Sequence, residues 1–190
     1  MRFFLFTFFI IGFGVSLYGQ AFDGYVVTNE SDTIHCKFFV QTNFINKNIF
    51  YATSVYKSVK ILSDSGEKIK YYPKDIKCFF IKGTTDGDFN FVSFKEDGYK
   101  HFYHEVVKDR LSYYRLYTTQ GTTFANAIFK EFVYKDNIFL ELGLFNTRKN
   151  LANLINDNKV IYDKWMDEHG YYKLKDAFNI INQYNESYKK

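Results

Sequence analysis

Between Ala21 and Glu141 the chain alternates short runs rich in Phe, Tyr, Val and Ile with clusters of Gly, Asn, Asp and Ser. That punctuation predicts strands joined by tight turns. Phe22 to Thr28 and Thr33 to Gln41 flank Asn29-Glu30-Ser31-Asp32 as a first hairpin, with Phe44 to Phe50 read as an extension of the sheet. Ser54 to Leu62 and Glu67 to Tyr72 flank Ser63-Asp64-Ser65-Gly66 as a second. Asp75 to Ile81 is a strong strand that ends at Gly83. Asp88 to Lys95 and Tyr99 to Lys108 flank Glu96-Asp97-Gly98, where Asp-Gly is a strong hairpin signal. Leu111 to Thr119, Thr123 to Tyr134 and, beyond the Asp136-Asn137 turn, Ile138 to Leu142 complete the series.

After Gly143 the apolar period lengthens. Leu151, Leu154 and Ile155 fall at helical spacing behind Thr147 as N-cap; Val160, Ile161 and Trp165 continue to a stop at Gly170. Leu174, Phe178, Ile181 and Tyr188 mark a third helix with a narrow apolar stripe. The predicted class is α+β, mainly β: an antiparallel sheet curled into a roll or open barrel, followed by C-terminal helices.

The first twenty residues stand apart from this pattern. Met1-Arg2 precedes an apolar run from Phe3 to Val15, which weakens from Ser16 to Gln20. A basic start, an apolar stretch and a small or polar end are the three regions of a signal peptide. The rival reading, a membrane anchor, needs about 20 predominantly apolar residues, and the run is too short. Residues 1-20 are therefore read as a signal peptide cleaved near Gly19 or Gln20. Residues 21-190 form a single mature domain, β-rich over 21-142 and helical over 143-190. No cysteine stands at the cleavage region to carry a lipid, and no second long apolar run follows. The expected location is periplasmic, outer-membrane-associated or secreted, with no transmembrane segment after cleavage.

Composition narrows the partners. The formal charge of +4 comes from lysines spread along the chain, and after Arg2 arginine occurs only at Arg110, Arg115 and Arg148. Nucleic-acid readers cluster basic residues and lean on arginine, so no nucleic-acid partner is expected. Aromatic residues make up 22%, but six of the phenylalanines lie in the leader and aromatics favour strands. Cys36 and Cys78 sit in two alternating patterns, Ile34-Cys36-Phe38-Val40 and Ile76-Cys78-Phe80, both read as inward. An oxidising compartment permits a disulfide between them if their strands are neighbours; two buried free thiols are the other reading.

Several short motifs resemble an uncharacterised exported domain common in Bacteroidota. They are Gly24-Tyr25-Val26-Val27-Thr28 with Asp32-Thr33-Ile34, then Tyr71-Tyr72-Pro73-Lys74-Asp75-Ile76, Leu116-Tyr117 and Ile180-Ile181-Asn182-Gln183-Tyr184-Asn185. The usual glycine before Asp-Thr-Ile is Ser31 here, and a second glycine two residues after the isoleucine is replaced by Cys36. In some relatives the domain precedes an outer-membrane β-barrel. The resemblance implies an envelope or secreted location and a stand-alone version of the domain, with no known activity.

Candidate chemistry is sparse. His101-Phe102-Tyr103-His104-Glu105 is the densest group of ligand types, but on a strand His101 and Glu105 share one face and His104 the other, so no metal site is expected. Asp32 and Asp75 stand beside turns, where aspartate usually bonds its own backbone. Asp32-Thr33-Ile34 also matches a short O-glycosylation pattern. No nucleophile elbow, phosphate loop or Cys-x-x-Cys is present, and no cofactor is implied. Tyr113, Arg115 and Tyr117 alternate on one strand face, with Tyr103 expected beside them on a neighbour. Tyrosines stack on sugars and arginine offers planar donors, although rings packed beneath a helix account for the spacing better, since buried aromatics at strand spacing are the norm. Tyr184, Asn185 and Tyr188 offer a terminal helix face for docking, or a cover for a sheet edge. The function these observations carry is an exported cell-envelope or secreted module of non-enzymatic, protein-binding or accessory character. The alternatives are a glycan-binding domain on the tyrosine face, and an unrecognised hydrolase or metalloenzyme at His101, His104 and Glu105.

Overall fold

A computed structural model describes residues 19-63, 66-119, 127-143, 145-167 and 174-189. Ten strands form one antiparallel sheet: β1 (Gly19–Thr28), β2 (Thr33–Gln41), β3 (Val59–Leu62), β4 (Lys68–Tyr71), β5 (Ile76–Thr84), β6 (Gly87–Ser93), β7 (Phe102–Val107), β8 (Ser112–Thr119), β9 (Ala127–Lys135) and β10 (Ile138–Leu142). Their spatial order is β10-β9-β8-β7-β6-β5-β1-β2-β3-β4. Three helices follow: α1 (Thr147–Ile155), α2 (Lys159–Asp167) and α3 (Leu174–Glu186). The leader up to residue 18, the start of the Thr123 strand and the Gly170 stop lie outside the described residues.

The sheet is curled, and one connection shows why. β4 is an edge strand four positions from β5, a distance of about 19 Å at the usual strand spacing. Tyr71 and Ile76 are joined by a tight turn in which Asp75 N–H donates to Tyr72 C=O (2.9 Å) and Tyr72 N–H to the Asp75 carboxylate (2.8 Å). Even fully extended, five steps reach only about 17 Å. A flat sheet cannot be connected this way. The β1–β6 part therefore rolls around a core that includes Phe22, Phe38, Phe50, Phe79 and Phe91, and the roll stays open.

A second core lies beneath the helices, where Leu111, Tyr113, Val133 and Leu142 of the sheet meet Leu151, Trp165, Ile181 and Tyr184. α1 lies against β10, and Asn150 donates to the Glu141 carbonyl on that edge (3.0 Å). Tyr184 and Asn185 are buried here, so the docking face expected at the C-terminus instead covers the sheet. Thr147 is the first helical residue, not the cap: Asn146 takes that place, and its side-chain oxygen accepts Gly143 N–H (2.9 Å).

Three strand expectations are corrected. Phe44 to Phe50 is no strand but a loop closed by a single Thr42–Phe50 bridge. Of the Ser54 to Leu62 segment only Val59–Leu62 is a strand, preceded by a 3-10 turn at Ala52–Ser54. In β5 a bulge places Thr28 opposite Ile76 but Val27 opposite Cys78. The extra residue, Lys77, reverses the alternation, so Ile76, Phe79 and Ile81 point inward while Cys78 and Phe80 point outward. β1 lies between the two cysteine strands and the thiols occupy opposite faces, so both cysteines are free.

Ser31 has φ +75°, in the left-handed region that favours glycine. Ser31→Gly should raise the melting temperature by about 2–4 °C, since relieving a non-glycine residue there is worth about 1 kcal/mol. An unchanged or lower melting temperature would show that the hydrogen bond from Lys77 to the Ser31 hydroxyl (2.6 Å) outweighs the strain.

Candidate binding site at the seam between two cores

Antiparallel register lines up Phe79, Phe91, His104, Arg115, Glu131 and Leu142 in one row across β5 to β10. The phenylalanines belong to the roll core and Leu142 to the helical core. His104, Arg115 and Glu131 fall between them: His104 packs on Phe89 and Phe91 of the roll core, Glu131 is buried, and Arg115 is partly exposed.

Each member of this polar trio is held by its neighbours. Glu131 is buried, and its carboxylate accepts the Tyr113 hydroxyl and faces Arg115 Nε at 3.7 Å. Burial first, then that hydrogen bond, pushes the Tyr113 phenol up from its ordinary range, so it stays a donor. The Arg115 guanidinium lies 5.0 Å from the Phe129 ring centroid and 5.7 Å from that of Tyr113. His104 packs at 4.6 Å from Phe89 and 5.8 Å from Tyr117, whose hydroxyl is 3.2 Å from His104 Nδ1. Burial, with Arg115 second, draws the His104 pKa down to about 4. The imidazole is therefore neutral at pH 7.

This has a pH consequence. The unfolded chain binds a proton at His104 near pH 6.5 and the folded protein only near 4. Between those values the unfolded state holds more protons, so stability falls as pH drops through the window and is fully present above it. The loss attributable to His104 should be about 2 kcal/mol. Melting curves from pH 7.5 to 4.5 (about one unit apart) check it: His104→Phe should flatten the decline relative to the parent. Parallel curves would remove His104 as the cause.

Among the residues expected at this site, Tyr113 is fully buried against Phe178 of α3, with ring centroids 5.2 Å apart. A sugar cannot stack on it. Tyr103 points to the other face, because His104 and not Tyr103 stands opposite Arg115. There it packs with Phe94, Phe132 and Phe139 and donates its hydroxyl to Asp97 (2.7 Å). Phe129 and Glu131 on β9 also belong to this site, and their own strand gives no sign of it. Only the pairing register, which no single strand displays, brings them to Arg115.

The other expected centres are kept apart. His101 lies on the Tyr103 side, 3.4 Å from Asp97 and stacked on Tyr56, while His104 lies in the seam. Glu105 bonds Asn90 and Tyr114. Among the described residues no group of three or more His, Cys, Asp or Glu is placed to hold a metal. Asp75 is engaged with its own turn, and Thr33 is exposed at the start of β2. Burial raises the Cys36 thiol to about 11 and also raises Cys78, so both stay protonated.

No helix among the described residues is long and apolar enough to cross a membrane. Comparison with models of known families, with curated proteins and with solved structures finds no match to this chain.

Proposed function

We propose that the chain is an exported cell-envelope or secreted module that acts by binding a partner protein through the open end of the seam. The observation that carries this reading is Phe129. Its side chain is 50% exposed, its ring lies over Arg115, and Tyr117 stands 6.2 Å away. A half-exposed aromatic stacked with an arginine that faces a buried carboxylate has the composition of an interface hot spot. The leader and the motifs that resemble an exported Bacteroidota domain support the location. Glycan binding is the weaker alternative, because with Tyr113 covered a sugar would have Tyr117 and Phe129 alone.

Photo-crosslinking in living cells tests it. A benzophenone side chain at position 129 should yield one reproducible protein adduct, lost when Arg115 is replaced by serine; the same group at Ile69 on β4 should yield none. Equal adducts at both positions, or none at 129 from a well-folded protein, would reject the seam as the binding surface.

A further inference from the structure

Three connections meet around a cleft of about 380 Å³. The segment before β3 brings Lys57, the β4–β5 turn brings Tyr72, Pro73 and Lys74, and the β6–β7 turn brings Tyr99 and Lys100. The volume lies at the small end of the range for ligand pockets, about 300–1,000 Å³. Hydrogen bonds fix all three walls. Phe102 N–H donates to Tyr56 C=O (2.7 Å), which ties the first segment to the start of β7. Asp75 N–H closes the second wall on Tyr72 C=O (2.9 Å), and Tyr99 N–H closes the third on Phe94 C=O (3.0 Å).

The charge in this cleft is one-sided. Its lining holds three lysines and no acid. Lys70 Nζ lies 4.6 Å from the Tyr72 ring centroid and adds a fourth cation at the rim. Among the described residues none of these four lysines has a carboxylate within 4.0 Å. The acids of the same turns are engaged elsewhere. Asp75 accepts Tyr72 N–H (2.8 Å), and Asp97 accepts Lys100 N–H (3.1 Å) and the Tyr103 hydroxyl (2.7 Å). Glu96 lines the neighbouring cleft over β8 and β9. Lysine on an edge strand guards against strand pairing, which accounts for Lys70. Lys57, Lys74 and Lys100 stand on connections, where no ladder needs guarding.

Two tyrosines complete the lining, Tyr72 at 44% exposure and Tyr99 at 40%. Tyr99 holds φ +54°, in the left-handed region where a bulky residue is rare and costs about 1 kcal/mol. Glycine would make the same turn without that cost. We propose that this cleft binds an acidic sugar, a single pyranose unit bearing a carboxylate or a phosphate. The ammonium groups meet the anion and the tyrosines meet the ring. Lysine supplies point charges on flexible stems, which suit either anion. The site shares no residue with the seam, and neither reading depends on the other.

Nitrogen–proton correlation spectra of the protein, purified as cells process it, read the site directly. Glucuronate and glucose phosphate should move the amide signals of Lys57, Lys74, Tyr99 and Lys100 in a saturable way, and the tighter of the two names the anion. Glucose should leave them in place, and inorganic phosphate should bind about tenfold more weakly than the sugar phosphate. Lys74→Ser and Lys100→Ser, both at exposed positions, should each weaken the acidic sugars by about tenfold with unchanged melting. Lys149→Ser, at an exposed position on α1, should not. Tyr99→Gly removes the ring and the strained φ together, so affinity should fall while the melting temperature holds or rises. Inorganic phosphate binding as tightly as the sugar phosphate, or a nucleoside monophosphate binding more tightly, overturns the sugar. Glucose binding as tightly as glucuronate overturns the role of the lysines. Unmoved signals, or full affinity in both lysine variants, overturn the site.

Discussion

Gly24→Ala should cost the protein about 4 kcal/mol or more, enough to leave much of it unfolded or insoluble. A Cβ at this position would lie 1.9 Å from the Phe80 carbonyl oxygen of β5 and 2.7 Å from the Phe38 ring. The first contact is with backbone, so no rotamer change relieves it: β1 must move away from β5 and weaken the ladder between them. The second shows what the glycine is for. Phe38 on β2 and Phe79 on β5 are separated by β1, yet their rings approach to 5.5 Å because Gly24 leaves the space above β1 empty. Gly66→Ala is the control, with φ +82° and no heavy atom within 4 Å; it should cost about 1 kcal/mol, the left-handed strain alone. Urea unfolding of the three proteins decides the matter. Where glycine is merely flexible, alanine stabilises by about 0.4–1 kcal/mol, so a neutral or stabilised Gly24→Ala would contradict the close approach.

That glycine opens one of the short motifs by which the sequence resembles an exported domain, and the other motif residues have equally architectural work. Tyr72 and Asp75 close the turn that lets β4 reach β5. Tyr184 and Asn185 pin the last helix to the sheet. Motifs of this kind carry information about packing and none about an activity.

The hairpins were legible because their turns announce themselves. Asp136 and Asn137 both take positive φ, 51° and 64°, as a two-residue hairpin turn requires, and Gly98 closes its 3-10 turn in the left-handed region. The antiparallel strands and the helices follow from that punctuation and the late change of period, whereas the curl rests on the short β4–β5 connection. What stayed hidden depends on register. A period-2 reading of β5 fails at Lys77, since one extra residue reverses every face after it. Tyr103 and Tyr113 are both apolar-facing tyrosines on adjoining strands, and nothing within either strand tells that they serve opposite faces. The seam has the same origin: His104, Arg115 and Glu131 are far apart in the chain and unremarkable singly. Their meeting follows from two ladders, and the first carries an irregularity, the shift between Glu105 and Val107.

Asn185→Leu should release the helical end of the molecule. Asn185 lies in α3 and is buried; its Oδ1 accepts Leu111 N–H and its Nδ2 donates to Leu111 C=O, both at 2.9 Å. A side-chain amide thus supplies the pair of bonds that a neighbouring strand would otherwise give. Leucine keeps the branched four-heavy-atom outline and suits a helix, but its methyls are bulkier, so some crowding adds to the polar loss: two buried backbone groups left without partners, at about 1–3 kcal/mol each. Beside it, Asp157 receives Lys135 (2.8 Å), Arg110 (2.9 Å) and the Tyr184 hydroxyl (2.8 Å). Burial opposes that carboxylate, but those donors prevail and hold its pKa near 2. The latch therefore stays charged, and contributes fully, above the ordinary carboxylate range near pH 4; it is lost only as pH falls toward 2. At pH 7, Asn185→Leu should lower stability by about 2–5 kcal/mol, with amide exchange rising first in α3 and at Leu111. Because the roll has a core of its own, β1, β2 and β5 should keep their protection longest. Uniform loss of protection across both cores would show instead that the roll and the helices unfold as one cooperative unit.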